Sequence, residues 1–383
     1  MTDDDDPEHA PPLKGLRVLD LSRILAGPWA TQTLADLGAD VIKVERPGTG
    51  DDTRAWGPPF IERDDERSAA YFHAANRGKR SVAIDFSTPE GASRVRGLAA
   101  RTDVVVENFP VGTLARHGLD HASLSRQNPR LVTCSITGFG QTGPRAAEPG
   151  YDAMIQAASG LMSVTGAPDG PPQKVGVALV DVMTGLYAAI AIQAALLRRE
   201  RTGTGEHIDL ALMDVGVATL ANQAMNALVT GKAPGRLGTA HPNIVPYQSF
   251  ACADGHVMIA VGNDAQFRAL CRVIGRDDLA NDEHATNPDR VAARDRLVPA
   301  LGEAMATWRR DDLLTALSEA KVPAGPVNTV TEALADPQVT HRGMVLDRDG
   351  VPGLASPIRM ARARTGSPLP SPRLDEHADA DWE

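Results

Sequence analysis

Short runs of Val, Ile and Leu alternate with helix-forming stretches through the first half of this chain, and that alternation limits the possible folds more than any other feature. The runs are Arg17–Leu21, Asp40–Glu45, Ser81–Phe86, Asp103–Asn108 and Leu131–Ile136. Between them, Ala26–Leu37 carries small and apolar residues along one side. Another helix is expected from Ser87 to about Arg101, with Ser87 as its cap, Pro89 in its first turn and Glu90 closing a capping box. Strands separated by helices pair in parallel, and continuously apolar strands are covered on both faces. The expected class is α/β, with a Rossmann-like large domain around a parallel sheet.

A helix of small residues is expected over about 182–199, closed by Arg198, Arg199 and the turn Thr202–Gly205. One more strand and helix over 207–229 complete a large domain spanning 14–229. The stretch 231–246, rich in Gly, Pro and His, marks a boundary. A smaller α/β domain then covers 230–330, with a strand at 256–261 and helices near 264–274, 293–306 and 311–320. Residues 331–383 form a linker and a C-terminal segment. Residues 1–13 are acidic and proline-bearing and are expected to be disordered.

Composition excludes several classes. Among 383 residues, 49 acids outnumber 39 bases, giving a formal charge of −10, against a general nucleic-acid binder. No apolar run approaches the roughly 20 residues of a membrane helix, and the acidic N-terminus lacks the basic region of a signal peptide. Cys134, Cys252 and Cys271 form no CxxC pair, and the histidines show no HxxxH spacing. The expectation is a reduced cytoplasmic protein without a metal site. No GxSxG elbow, phosphate-binding GxxxxGK[ST] loop or GxGxxG fingerprint occurs; the first strand–helix turn is Ser22–Pro28 instead.

Two candidates for chemistry remain. Thr137–Pro144 is a glycine-rich loop following a strand, where parallel sheets bind ligands. Asp181 stands where the long helix is expected to begin. It is either the N-cap or a carboxylate nucleophile. With an ordinary pKa of about 3.9 it would be ionised at neutral pH, and the helix N-terminus would offer N–H groups to an oxyanion. Arg46, Lys79, Arg80 and Arg116 are surface charges if taken singly; at one sheet edge they would bind phosphates.

Together these blocks resemble the class III coenzyme A transferases of CaiB/BaiF type, the family of formyl-CoA transferase, carnitine CoA-transferase and α-methylacyl-CoA racemase. The resemblance runs from about Pro12 to His377. It rests on Gly15–Leu21 with Ala26–Pro28, Gly38–Pro47 with Gly50-Asp51 and Thr53-Arg54, Asn76–Ser81, Val106–Phe109, Asn128–Leu131, the loop 137–144, Gly150–Asp152 and Asp181.

The resemblance implies an enzyme that needs no tightly bound cofactor and takes acyl-CoA and a small carboxylic acid as substrates. Asp181 would attack the donor thioester, giving a mixed anhydride and then an aspartyl-CoA thioester. Backbone N–H groups near Gly138 and Gly140 would stabilise the oxyanions. Arg46, Lys79 and Arg116 would hold the CoA phosphates, and Leu25, Ala26, Asn108 and Phe109 would line the adenine and pantetheine path. Racemisation is the alternative activity, but the histidine it needs is replaced by Tyr151, which would hydrogen-bond near the reacting carboxyl. A non-catalytic CoA-binding protein is the other alternative. The segment Arg236–Phe250 looks most like the branch acting on dicarboxylates, such as succinyl-CoA:hydroxymethylglutarate transferase, making Arg236 and His241 candidates for a distal carboxylate. The family further implies an interlocked, ring-shaped homodimer whose C-terminal segment returns to the large domain, with no nucleic-acid or membrane partner.

Overall fold

The computed structural model describes residues 8–63 and 66–382. Residues 1–7 of the expected tail lie outside the described residues. Residues 8–13 depart from the expectation of disorder, because the Leu13 N–H donates to the Leu37 carbonyl at 2.8 Å and the Lys14 N–H to Pro11 at 3.0 Å. The chain divides into two compact units. The first takes residues up to 161, 174–229 and 337 onward; the second takes 162–173 and 230–336. The segment 162–173, placed by sequence within 14–229, belongs to the second unit because Gly166 accepts the Gly238 N–H at 3.0 Å.

The first unit is built on six parallel strands: β1 (Arg17–Asp20), β2 (Asp40–Glu45), β5 (Arg80–Ala83), β6 (Val104–Glu107), β7 (Val132–Thr137) and β8 (Glu206–Ala211). A hairpin of β3 (Phe60–Arg63) and β4 (Glu66–Ala69) interrupts the series. The sheet order β5-β2-β1-β6-β7-β8 starts at the centre, runs outward to one edge, then crosses back. The order of strand addition therefore reverses between the parallel neighbours β1 and β6, and the loops leaving them diverge to open a crevice. Alternate residues of each strand face opposite sides. Val18, Val104, Val106, Val132 and Ile136 pack under α1 (Ala26–Asp36) and the long helix α6 (Leu179–Thr202). Leu19, Ile42, Val82 and Val105 face the other way, sharing a core with Val95 and Leu98 of α3 (Pro89–Ala99) and with Trp382. Between α1 and α3 lies the single turn α2 (Ala70–His73); α4 (His121–Leu124) and α5 (Asp152–Ala158) precede α6, and α7 (Leu212–Thr219) and α8 (Ala221–Thr230) follow β8.

Two caps differ from expectation. The α3 cap is Thr88, whose hydroxyl accepts the Gly91 N–H at 3.1 Å, while Ser87 is turned to Asp85. The α6 cap is Ala178, which leaves Asp181 three residues inside the helix. In length and composition α6 would also suffice to cross a membrane, contrary to the reading of apolar runs; ten of its residues are instead buried in this fold.

Helices α1 and α6 touch backbone to side chain. A Cβ built on Gly185 would stand 2.7 Å from the Ala26 carbonyl oxygen and 2.9 Å from Trp29 Cβ. Gly185→Ala should therefore force the helices apart and cost roughly 1–3 kcal/mol in urea unfolding. An unchanged midpoint would mean that the contact relaxes freely.

The second unit carries the antiparallel sheet β9 (Tyr247–Cys252), β10 (Gly255–Ala260) and β11 (Ala324–Pro326) in the order β11-β10-β9. Its core joins Phe250, Val257 and Ile259 to Phe267, Leu297, Leu301 and Leu313 from helices 264–273, 294–305 and 310–319.

Candidate active site

The crevice between β1 and β6 opens into a cavity of about 640 Å³. Leu25, Ala26, Asn108, Phe109, Gly138, Tyr151 and Asp181 all line it, so seven residues singled out from sequence meet at one place. Each arrives from a loop or helix end at the C-terminal side of the sheet.

Asn108 works as a clamp. Its Oδ1 accepts the Arg23 N–H at 2.9 Å and its Nδ2 donates to the Arg23 carbonyl at 2.7 Å. The next residue, Ile24, is held at φ 71°, a costly conformation for a β-branched residue. Its N–H points between both carboxylate oxygens of Asp51, 3.3 Å from each. The turn that begins α1 is thus fixed from two sides. Leu25, at the N-cap of α1, offers no capping side chain, and the N–H groups of Ala26 and Gly27 have no partner among the described residues. Gly138 packs against Gly150 so closely that a Cβ on Gly138 would lie 2.6 Å from the Gly150 Cα. That approach sets Tyr151 at the cavity rim, 59% exposed.

Three acids line the cavity among the described residues. Asp52 pairs with Arg23 at 2.9 Å, and Glu148 with Arg145 at 2.7 Å. Among the described residues, Asp181 has neither a cation nor a hydrogen-bond donor on its carboxylate, and it is only 9% exposed. Burial, and then the nearby Asp152 carboxylate, push its pKa up to about 7. The expectation of an ordinary, fully ionised aspartate is thereby corrected. A second correction concerns the helix end. The Leu179 N–H donates to Val177, Val180 and Asp181 donate to Asp152, and Val182 donates to Ala178. No first-turn amide of α6 is left for an oxyanion.

Gly140 and Lys79 do not line this cavity. The Gly140 N–H donates to Thr137 Oγ1 at 2.9 Å, so it is already spent. Lys79 is 1% exposed and lies beneath α1, where its Nζ donates to Asp20 Oδ2 (2.9 Å), Asn76 Oδ1 (2.8 Å) and the Pro28 carbonyl (3.0 Å). An ammonium has three donors. With all three committed, Lys79 has none for a CoA phosphate. Arg46, just after β2, is exposed; so is Arg116, beyond β6, whose guanidinium donates to Thr113 Oγ1 at 3.2 Å. Arg236 and His241 belong to the second unit. There the Arg236 guanidinium donates to the carbonyls of Gly170 (2.7 Å) and Ala167 (3.3 Å), and His241 Nδ1 accepts the Asn243 N–H at 3.1 Å.

Sequence reading passed over Arg23, Trp56 and Asp152. Arg23 is the one cation lining the cavity among the described residues, with its guanidinium 5.2 Å from the Phe109 ring. Its place in the first strand–helix turn was the available signal.

A buried acid thus faces a cavity of about 640 Å³ in a doubly wound sheet. Known proteins supply the family. The sequence profile described as CoA-transferase family III matches residues 13–378. A succinate–glutarate CoA-transferase of Agrobacterium fabrum is 54% identical over 381 residues, covering 97% of this chain and 95% of the relative. A succinyl-CoA:glutarate CoA-transferase of Mus musculus is 43% identical over 97% of this chain and 86% of its own. The crystal structure of a CaiB/BaiF family protein from Brucella suis superposes with a TM-score of 0.88 at 57% identity, covering 96% of this chain and 97% of that one. The chain belongs to CoA-transferase family III and is a CoA-transferase.

Proposed function

We propose that this enzyme moves coenzyme A from succinyl-CoA to a dicarboxylic acid of about glutarate size, with Asp181 as covalent carrier. The observation that carries the reading is the unpaired Asp181 carboxylate in the cavity, beside two acids that are both neutralised by arginines. The named substrates of the relatives supply the acids.

An Asp181 oxygen attacks the thioester carbonyl and the CoA thiolate leaves, forming a mixed anhydride. The thiolate then attacks the aspartyl carbonyl and releases succinate, leaving an aspartyl-CoA thioester. The acceptor carboxylate attacks that thioester, the thiolate leaves again, and its attack on the new anhydride frees the product acyl-CoA and Asp181. Bonds and charge balance without a cofactor; CoA enters and departs as part of the substrates. Burial of Asp181 keeps water from the anhydride. The free N–H groups at the start of α1, with that of Gly138, are the donors closest in kind to an oxyanion site. Tyr151 stands at the rim to meet the reacting carboxyl. Racemisation has no support, since no histidine lines the cavity among the described residues.

Arg46 and Arg116 are assigned to the CoA phosphates. Arg46→Ala and Arg116→Ala should each raise KM for succinyl-CoA about tenfold, the equivalent of one charge-assisted contact, with kcat little changed. Unaltered KM in both would remove them from the site.

Two interlocked copies are part of the proposal. Leu186, Ile190 and Leu197 of α6, with Met225, Leu228 and Val229 of α8, are large apolar residues left exposed in a single chain. Light scattering should give a dimer.

The reading is tested by mass spectrometry of mixtures pairing acyl-CoA donors with acids. Succinyl-CoA with glutarate should yield glutaryl-CoA and succinate. Failure of every dicarboxylate pair alongside success of acetate or formate would overturn it.

A further inference from the structure

Helix α6 begins without a cap of its own, because Ala178 has no polar side chain to offer. Asp152, the first residue of α5, supplies one from outside. Its Oδ1 accepts the N–H of Val180 at 2.8 Å and of Asp181 at 3.2 Å. Its Oδ2 accepts from Gln156 Nε2 at 2.7 Å. Gln156 is wholly buried and fixed in turn, with its Oε1 accepting the Val175 N–H at 2.8 Å and its Nε2 reaching the Val177 carbonyl at 3.3 Å. The Asp152 carboxylate is therefore locked against the turn that carries Asp181.

A carboxylate in the first turn of a helix is ordinarily made more acidic by the free amides there. Asp152 takes those amides and sets its own negative charge beside Asp181. The other titratable groups near Asp181 do not offset this. Tyr71 of α2 is neutral and is itself pushed up, by burial first and then by the charges of Asp181 and Asp152. Across the cavity, Arg23 is tied to Asp52, Glu148 to Arg145, and Tyr151 stands at the rim. We propose that Asp152 is a positioning residue that caps α6 from outside and holds a second carboxylate against the turn that carries Asp181. The proposal rests on the reading of Asp181 as nucleophile.

The test compares kcat/KM for succinyl-CoA, with glutarate as acceptor, across roughly pH 5 to 9 in wild type, Asp152→Asn and Asp152→Glu. In wild type the rate should rise with pH through a midpoint of about 7, as Asp181 ionises. Asp152→Asn should move that midpoint to lower pH and lower the plateau. Asp152→Glu, which keeps the charge, should restore the wild-type midpoint. A plateau lowered equally at every pH with an unmoved midpoint would make Asp152 merely structural and overturn the proposal.

A second measurement reads the Asp181 carboxyl group directly, in wild type and in Asp152→Asn. Carboxyl-labelled aspartate is incorporated, the Asp181 carbon signal is assigned by its loss in Asp181→Asn, and the signal is titrated by NMR. A midpoint lower in Asp152→Asn than in wild type supports the proposal, and the same midpoint in both overturns it. Full activity in Asp181→Asn would instead sink the nucleophile reading, while the titration would still report on Asp152.

Discussion

Asp181→Asn should lose CoA transfer by roughly 10⁴-fold or more in kcat, yet fold as well as the parent or better. An amide cannot form the anhydride or the thioester, so no slower version of the same route survives. The stability gain follows from the sign of the pKa shift. Asp181 is raised from 3.8 to about 7 in the folded protein, so the native state holds that proton more tightly than the unfolded chain. Its contribution to stability therefore falls as pH rises between those values, and the penalty is complete above about 7. Three units correspond to an upper bound of roughly 4 kcal/mol. Thermal unfolding should show the variant above wild type at about pH 8, with the gap closing towards pH 4. Wild-type turnover in the variant would exclude a covalent carrier at this position.

Lys79→Met should cost roughly 3–5 kcal/mol, the range for breaking a buried pair by removing one partner. Asp20 would be stranded at the heart of the sheet. Burial alone would raise its pKa, but Lys79, Lys43, Ser22 and Thr31 hold it down to about 2. Ser22 donates to Asp20 through both its N–H (2.9 Å) and its hydroxyl (2.5 Å), and Thr31 through its hydroxyl (2.6 Å). Lys43 also bridges to Asp51 at 2.9 Å, so the pair anchors the turn that shapes the cavity. Lys79→Met should unfold at much lower urea, and the double variant Asp20→Asn, Lys79→Met should recover part of the loss. A single variant as stable as wild type would show that Asp20 finds a replacement cation.

The parallel sheet was legible because its strands are short, apolar and separated by helix signals, and their observed bounds depart from the reading by a few residues at most. Asp181 was legible as a candidate because it falls where a helix of small residues was expected to begin, and the family resemblance gave it the nucleophile's part. What the chain could not disclose locally was its neighbour. Asp152 lies 28 residues before Val180, and nothing in that spacing reveals that its carboxylate takes the amides at the start of α6. Lys79 misled for the opposite reason. A lysine beside an arginine after a glycine looks like a surface cation, and only Asp20, 59 positions away, explains why it is buried. Arg46 lies in the loop after β2 and Arg116 in the single 3-10 turn Leu114–His117, and both are exposed.

The first unit is assembled from stretches separated by the whole of the second, and Trp382 seals its core by donating from Nε1 to the Leu98 carbonyl at 2.9 Å. A nascent chain leaves the ribosome from the N-terminus at about 5–20 residues per second. The sheet is therefore translated early, while the face that carries Leu19, Ile42 and Val105 waits for Trp382 to complete its core. During that interval the growing polypeptide is a natural client for chaperones.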